Sequence, residues 1–277
     1  MTAVAAVLAL SSAVLHVTWN ALVRTAQGSV AFVAAQLAAG ALAAGLFAEL
    51  TGPWRIPDTV WPLVLTTVAV HGVYFRALAA AYRQGTLSTV YPAARGLGLM
   101  VTAPLAAWLL GQHLPILGWV GVGLVTLGVA APAASGALAP RARASVVAVG
   151  LAVGLYSLVD SHAVSLISPA VYISLQFAGA ALVLLPGSGI VAWTCRAGIR
   201  SVGRAAAAGV GSWASYLLLL YAFRLAPAGP VLALRQTAPA LAPLMGGRWL
   251  GEARGAHRWV WAGALVVAAG GAVAAWH

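Results

Sequence analysis

Tyr91-Pro92-Ala93-Ala94-Arg95-Gly96 and Leu234-Arg235-Gln236-Thr237-Ala238-Pro239 each set one arginine inside a long apolar run, and the two arginines stand 140 residues apart. Charged side chains are scarce in such runs because hydrocarbon does not solvate them. A pair at a fixed offset therefore calls for sliding the whole chain by the same amount. At 140 residues Asn20 meets Asp160, Gln36 meets Gln176, Gln112 meets Glu252 and Trp119 meets Trp259. Gly111 also falls on Gly251 and Gly123 on Gly263. Alanine-rich sequence aligns with itself by chance, whereas rare polar residues inside apolar runs do not.

Outward from these pairs, ten apolar runs fill the chain, over residues 3–23, 29–50, 60–82, 86–110, 115–135, 145–163, 169–192, 202–223, 227–250 and 257–276. A bilayer span takes about 20 apolar residues. The expectation is an all-α membrane protein of ten transmembrane helices, built as two five-helix repeats, 1–135 and 145–277, joined by a linker at 136–144. An odd number of helices per half sends the second half into the membrane in the opposite sense, so the repeat is inverted. The first run has small residues like a signal peptide, but it lacks a basic leading region and stays apolar to Leu22, so it reads as a retained helix.

Composition agrees. Of 277 residues 62% are hydrophobic and 7% charged, against roughly 25% charged in soluble domains, so a water-facing surface cannot be covered. The net charge of +11 comes from arginines scattered between apolar runs, not from a stripe, which argues against a nucleic-acid partner. The absence of lysine excludes a Schiff-base mechanism, and the single Cys195 excludes an internal disulfide. The chain has no HExxH, GxSxG or Walker loop, and Arg95-Gly96-Leu97-Gly98 lies on no βαβ unit. No enzyme activity, metal or cofactor is expected.

Arg95 and Arg235 each lie about ten residues into a helix, roughly 15 Å deep at 1.5 Å per residue. A guanidinium offers a planar fork of donors suited to carboxylate or phosphate. Two readings stand side by side: contact with a substrate, or neutralisation by an acid or by carbonyls freed around Pro92, Pro227, Pro230 and Pro239. The chain has only four acidic residues for fifteen arginines. Asp160 and Glu252 are the acids of the second half, opposite Asn20 and Gln112. Each either carries a proton or, lying near a helix end where water is close, serves as a cap, ion-pair partner or interfacial residue. His16 and His71 are groups that titrate near neutral pH or pack with a hydrogen bond. Gln36 and Gln176 bond either a substrate or a neighbouring helix.

Tyr74, Tyr91, Tyr156, Trp19, Trp213 and Tyr216 supply amphipathic surface within the runs. Trp54, Trp61, Trp259 and Trp276 sit near run ends, as belt anchors do. The Gly150 to Gly154 spacing and the cluster Gly118, Gly121, Gly123 and Gly128 permit close helix contact.

His16-Val17-Thr18-Trp19-Asn20, at the end of the first run, resembles the HxxWN signature of EamA-domain proteins of the drug/metabolite transporter superfamily. So do the two arginine segments, followed by Leu250-Gly251-Glu252, and the similarity runs the length of the chain. The resemblance implies ten helices in two EamA-type halves and a central cavity formed mainly by helices one, three, four, six, eight and nine. Gln112 departs from the pattern, standing where many members place a glutamate.

The resulting expectation is a multi-pass cell-membrane protein, a monomer among lipids. It is a secondary transporter, an exporter, moving a small polar metabolite such as an amino acid or organic anion by alternating access. The substrate site is expected at Arg95, Arg235, Gln36, Gln176, His71, Tyr74 and Tyr216, with proton coupling at Asp160, Glu252 and His16. The alternatives are an exporter of cationic drugs, a non-transporting scaffold, and an enzyme acting on lipid-linked substrate. Arginines crowd the loops and ends after runs one, three, five, seven and nine, whereas the opposite side has Arg55 and Arg224. That asymmetry places both termini outside, while the resemblance implies cytoplasmic termini.

Overall fold

A computed structural model describes residues 2–109, 111, 115–134, 138–252 and 257–275, with 129–134, 257, 274 and 275 described by backbone alone. Gln112 and Trp276 lie outside the described residues. Among these residues there is no strand. The helices are α1 (Ala3–Thr25), α2 (Val30–Thr51), α3 (Trp61–Gln84), α4 (Leu87–Leu109), α5 (Ile116–Ala134), α6 (Pro140–Leu166), α7 (Pro169–Leu184), α8 (Ile190–Arg196), α9 (Ile199–Leu225), α10 (Ala228–Arg235), α11 (Leu241–Trp249) and α12 (His257–Ala275).

Local chemistry sets most boundaries. The Thr2 hydroxyl accepts the Ala5 N–H at 3.2 Å and starts α1, and the Ser29 hydroxyl accepts the Phe32 N–H at 3.3 Å and starts α2, each satisfying a donor left free by the first turn. Between them Gly28 takes φ +66°, and a Cβ there would lie 2.8 Å from the Arg83 nitrogen.

Three boundaries differ from the sequence expectation. α6 starts at Pro140, not at 145, because proline suits the first helical position, where its missing N–H costs nothing. Residues 140–144 of the expected linker are therefore helical. The seventh run ends at Leu184, since Pro186 follows and Gly187 and Gly189 adopt φ +72° and +68°. The chain then forms the short α8, on which no side chain is buried and Cys195 is exposed. The ninth run breaks after Arg235 into a 3-10 turn, Ala238–Ala240, before α11. Pro239 has no N–H to continue the helical ladder. Pro92 and Pro104 leave α4 unbroken.

Among the described residues five segments are long and apolar enough to cross a membrane: α1, α2, Asp58–Gln84 (which contains α3), α6 and α9. Their surface runs opposite to that of a soluble protein. Leu42 and Leu46 are 71% and 69% exposed while Gln36 and Asp160 are 0% and Arg235 1%, the distribution expected when lipid is the solvent.

α1 packs on α9, α3 on α6, α2 on α7 and α9, α4 on α6, and α5 on α12. Small residues set the closest crossings. A Cβ on Gly209 of α9 would come 2.8 Å from the Ala39 Cβ and 2.9 Å from the Gly40 nitrogen of α2. Gly150 and Gly154 of α6 face Leu97 and Val101 of α4, and Gly128 of α5 would place a Cβ 2.7 Å from the Gly263 oxygen of α12. Gly123 faces open space.

Candidate functional site

The helix crossings bring several buried polar side chains together. On α1, Asn20 Nδ2 donates to the His16 backbone oxygen at 2.8 Å and stands 3.1 Å from His16 Nδ1. An amide nitrogen cannot accept, so His16 Nδ1 is the acceptor and also receives the Tyr91 hydroxyl of α4 at 3.2 Å. Asn20 Oδ1 accepts the Tyr82 hydroxyl of α3 at 2.8 Å. Thus three helices share one polar chain.

A second polar group is built on α6, α7 and α9. Asp160 is fully buried; its Oδ1 accepts the Tyr172 hydroxyl at 2.6 Å and its Oδ2 accepts the Tyr216 hydroxyl. The expected location of Asp160 near water is corrected here. α6 continues to Leu166, past the expected end at 163, and two tyrosines wall Asp160 in.

Arg95 of α4 and Arg235 of α10 are 2% and 1% exposed. They are close enough to act electrostatically on one another and on His16, Tyr91 and Tyr156. Among the described residues no hydrogen-bond partner meets Arg95 Nε, Nη1 or Nη2, nor Arg235 Nε or Nη1. Arg235 Nη2 donates to the Ser215 hydroxyl at 3.3 Å. Ser215 in turn donates to the Ser12 backbone oxygen at 2.8 Å, and Ser12 to the Ser215 backbone oxygen at 2.6 Å, clamping α1 to α9. Among the described residues the arginine–carboxylate ion pair is Arg24 with Glu252, at 3.6 Å, so neither central guanidinium is neutralised by an acid.

Two cavity lobes adjoin these groups and share His16 and Tyr74 as lining. The first, with room for about one water molecule, is walled by Trp19, His71, Phe75, Tyr156, Phe177 and Tyr216, with Gln176 and Ser212. The second, smaller than the first, includes Arg95, Asn20, Tyr82 and Tyr91. His71 stacks on Tyr156 with ring centroids 4.3 Å apart, and its Nδ1 lies 2.9 Å from the Thr67 carbonyl oxygen. That oxygen only accepts, so the proton sits on Nδ1 and Nε2 is the free acceptor.

Of the residues expected from sequence, the structure brings Arg95, Gln176, His71, Tyr74, Tyr216 and His16 to the lobes. Arg235 stands behind them at Ser215. Gln36 is buried on α2 with neither amide atom hydrogen-bonded, and lines neither lobe. Glu252 lies elsewhere, at the N-terminus of α4, where its carboxylate accepts the Leu87 N–H at 2.6 Å, the Ser88 N–H at 3.1 Å and the Ser88 hydroxyl. Tyr82, Tyr172 and Ser215 were not anticipated, since a tyrosine or serine inside an apolar run is too common to stand out.

The chain matches none of the protein-family models and none of the curated proteins compared with it. It does match solved structures. A crystal structure of a protein, 18% identical, aligns over 99% of this chain and 97% of that one with a TM-score of 0.69. At that identity the likeness establishes the fold alone: an all-α architecture, here with apolar helices able to cross a membrane.

Proposed function

We propose that this chain is a ten-span carrier of the EamA type, from the drug/metabolite transporter superfamily, resident in the cell membrane. It exports a small anionic or zwitterionic metabolite, such as an organic acid or an amino acid, by alternating access. The observation that carries this reading is the pair Arg95 and Arg235, both buried without a carboxylate partner, with Arg95 lining an internal cavity. Burying a cation costs several kcal/mol unless a counter-ion is supplied. An anion entering between the two halves supplies it. His16 lines both lobes and is the group placed to exchange a proton with that anion.

Several features support two inverted repeats, 1–135 and 145–277. Under the 140-residue offset the α1–α9 and α3–α6 contacts exchange places, while α2–α7 and α5–α12 map onto themselves. Gly111 and Gly251, equivalent by the same offset, have φ of +61° and +62°. An interface between inverted halves is where secondary carriers hold their substrates.

A cationic drug needs a free acid in the cavity. Both Asp160 oxygens are taken by tyrosine hydroxyls, which favours the anionic reading. Uptake of a labelled metabolite panel into proteoliposomes tests it. Transport of anions or zwitterions, abolished in Arg95→Gln and Arg235→Gln, is expected. Transport confined to organic cations and lost in Asp160→Asn, or no transport of any panel member, would overturn it.

A further inference from the structure

A roomier space than either lobe lies away from the central site, at the face where α1 ends and α2 and α9 begin. There Thr25, Ser29 and Phe32 meet Trp193, Ser201 and Arg204 around a cleft of about 130 Å³. A single water needs roughly 10–15 Å³, so the cleft admits a group of several heavy atoms. The Phe32 and Trp193 rings meet edge-on with centroids 6.1 Å apart, and the rest of this lining is cationic or hydroxylic. None of the chain's four acids lines the cleft. Among the described residues neither the Arg204 guanidinium nor the Ser201 hydroxyl has a hydrogen-bond or ion-pair partner. The Ser29 hydroxyl accepts the Phe32 N–H and keeps its own proton to donate. Ser29 and Phe32 bound the first turn of α2, and Ser201 lies in the first turn of α9. Two positive helix ends therefore add to one unpaired cation.

We infer that this cleft binds the phosphate of an anionic phospholipid, held by Arg204, Ser201 and Ser29. The inference rests on the membrane placement of the helices and is independent of what the chain carries. A free phosphate offers the same anion, but the position of the cleft favours a lipid. Its residues fall at the ends of three segments able to cross a membrane, Ala3–Thr25, Val30–Thr51 and Ile199–Leu225, which is the depth of the headgroups. Beside it Val191 and Ile199 are 76% and 87% exposed, apolar surface that acyl chains cover and a soluble ion does not. Arg196 and Arg200 belong to the same α8–α9 segment. A zwitterionic headgroup brings its own cation toward these arginines, whereas an anionic one does not.

Native mass spectrometry of the full chain, delipidated in detergent and titrated with dioleoylphosphatidylglycerol or dioleoylphosphatidylcholine, tests the site. The unaltered protein is expected to take up a single phosphatidylglycerol at least about tenfold more tightly than phosphatidylcholine, the factor that accompanies one charge-assisted hydrogen bond. Arg204→Gln and Ser201→Phe, which remove the cation and fill the cleft, should each abolish that preference. Arg204 is exposed and unpaired, so its replacement leaves the fold intact. Arg55→Gln removes the same charge at the opposite end of α2 and should keep the preference. Equal binding of the two lipids by the unaltered protein would overturn the inference. So would a loss in Arg55→Gln matching that in Arg204→Gln, which marks bulk charge, or displacement of the lipid by inorganic phosphate at equal concentration, which marks a soluble ligand. None of these outcomes touches the carrier reading, which stands or falls on proteoliposome uptake.

Discussion

Glu252 caps a helix from the far half of the chain: its Oε1 accepts the Leu87 N–H of α4 at 2.6 Å, while Arg24 at the end of α1 approaches the same oxygen at 3.6 Å. With Ser88 also donating through its N–H and hydroxyl, one carboxylate satisfies two backbone donors at the start of α4 and sits favourably at the positive end of its dipole. Glu252→Ala leaves these donors unmet in a pocket where the carboxylate is only 6% exposed. A loss of about 1–2 kcal/mol is expected, with Glu252→Gln keeping part of it through the amide oxygen. Thermal melts in detergent check the order wild type, Gln, Ala.

Arg95 and Arg235 are expected to trade stability for function. Each guanidinium is buried with most of its donors unmet, so Arg95→Gln removes an uncompensated charge and should hold or raise the melting temperature. The same variant should lower anion transport at least about tenfold, the factor for about 1.4 kcal/mol of lost interaction. Melts and proteoliposome uptake measured together would expose the opposite pattern, destabilisation with transport unchanged.

Asp160 has the reverse profile. Its two oxygens join α6 to α7 through Tyr172 and to α9 through Tyr216. Asp160→Ala orphans two buried hydroxyls and should cost about 2–6 kcal/mol, at about 1–3 per unmet group. Tyr172→Phe and Tyr216→Phe should each cost less. A double-mutant cycle on the melting midpoint separates the two bonds.

The α2–α9 crossing admits no side chain at Gly209, where an added Cβ meets Ala39 and Gly40. Gly209→Val should prevent folding or cost more than about 3 kcal/mol through overpacking. Gly45→Ala, on the same α2 but with nothing within 4 Å of the added carbon, should be neutral or slightly stabilising, since alanine favours helix by about 1 kcal/mol over glycine. Yield of monodisperse protein by gel filtration distinguishes them.

What the sequence exposed depended on rarity. Arg95, Arg235, Gln36 and Gln176 were visible because such groups seldom enter apolar runs, and the 140-residue offset tied them together. Two of the site's tyrosines were not: Tyr82 pairs with Asn20 across 62 residues and Tyr172 with Asp160 across 12, separations that follow no helical period. Helix positions were legible from apolar runs, but not which proline ends a helix. Pro239 coincides with a break whereas Pro92 and Pro104 sit within α4. Glu252 stood out as an ionisable residue, yet its partners, the backbone donors at the start of α4, carry no sequence signal at all.

The short α8 gives this chain an experimental handle. Cys195 is its sole thiol in the sequence and is exposed there, among Arg196, Arg200 and Arg204. A membrane-impermeant maleimide applied to intact cells therefore reads sidedness from the unmodified protein, with no engineered cysteine. Labelling marks the arginine-rich face as external; protection until the cells are opened marks it as cytoplasmic. The same thiol can carry a fluorophore or spin label, making the wild-type chain its own reporter of motion at that face.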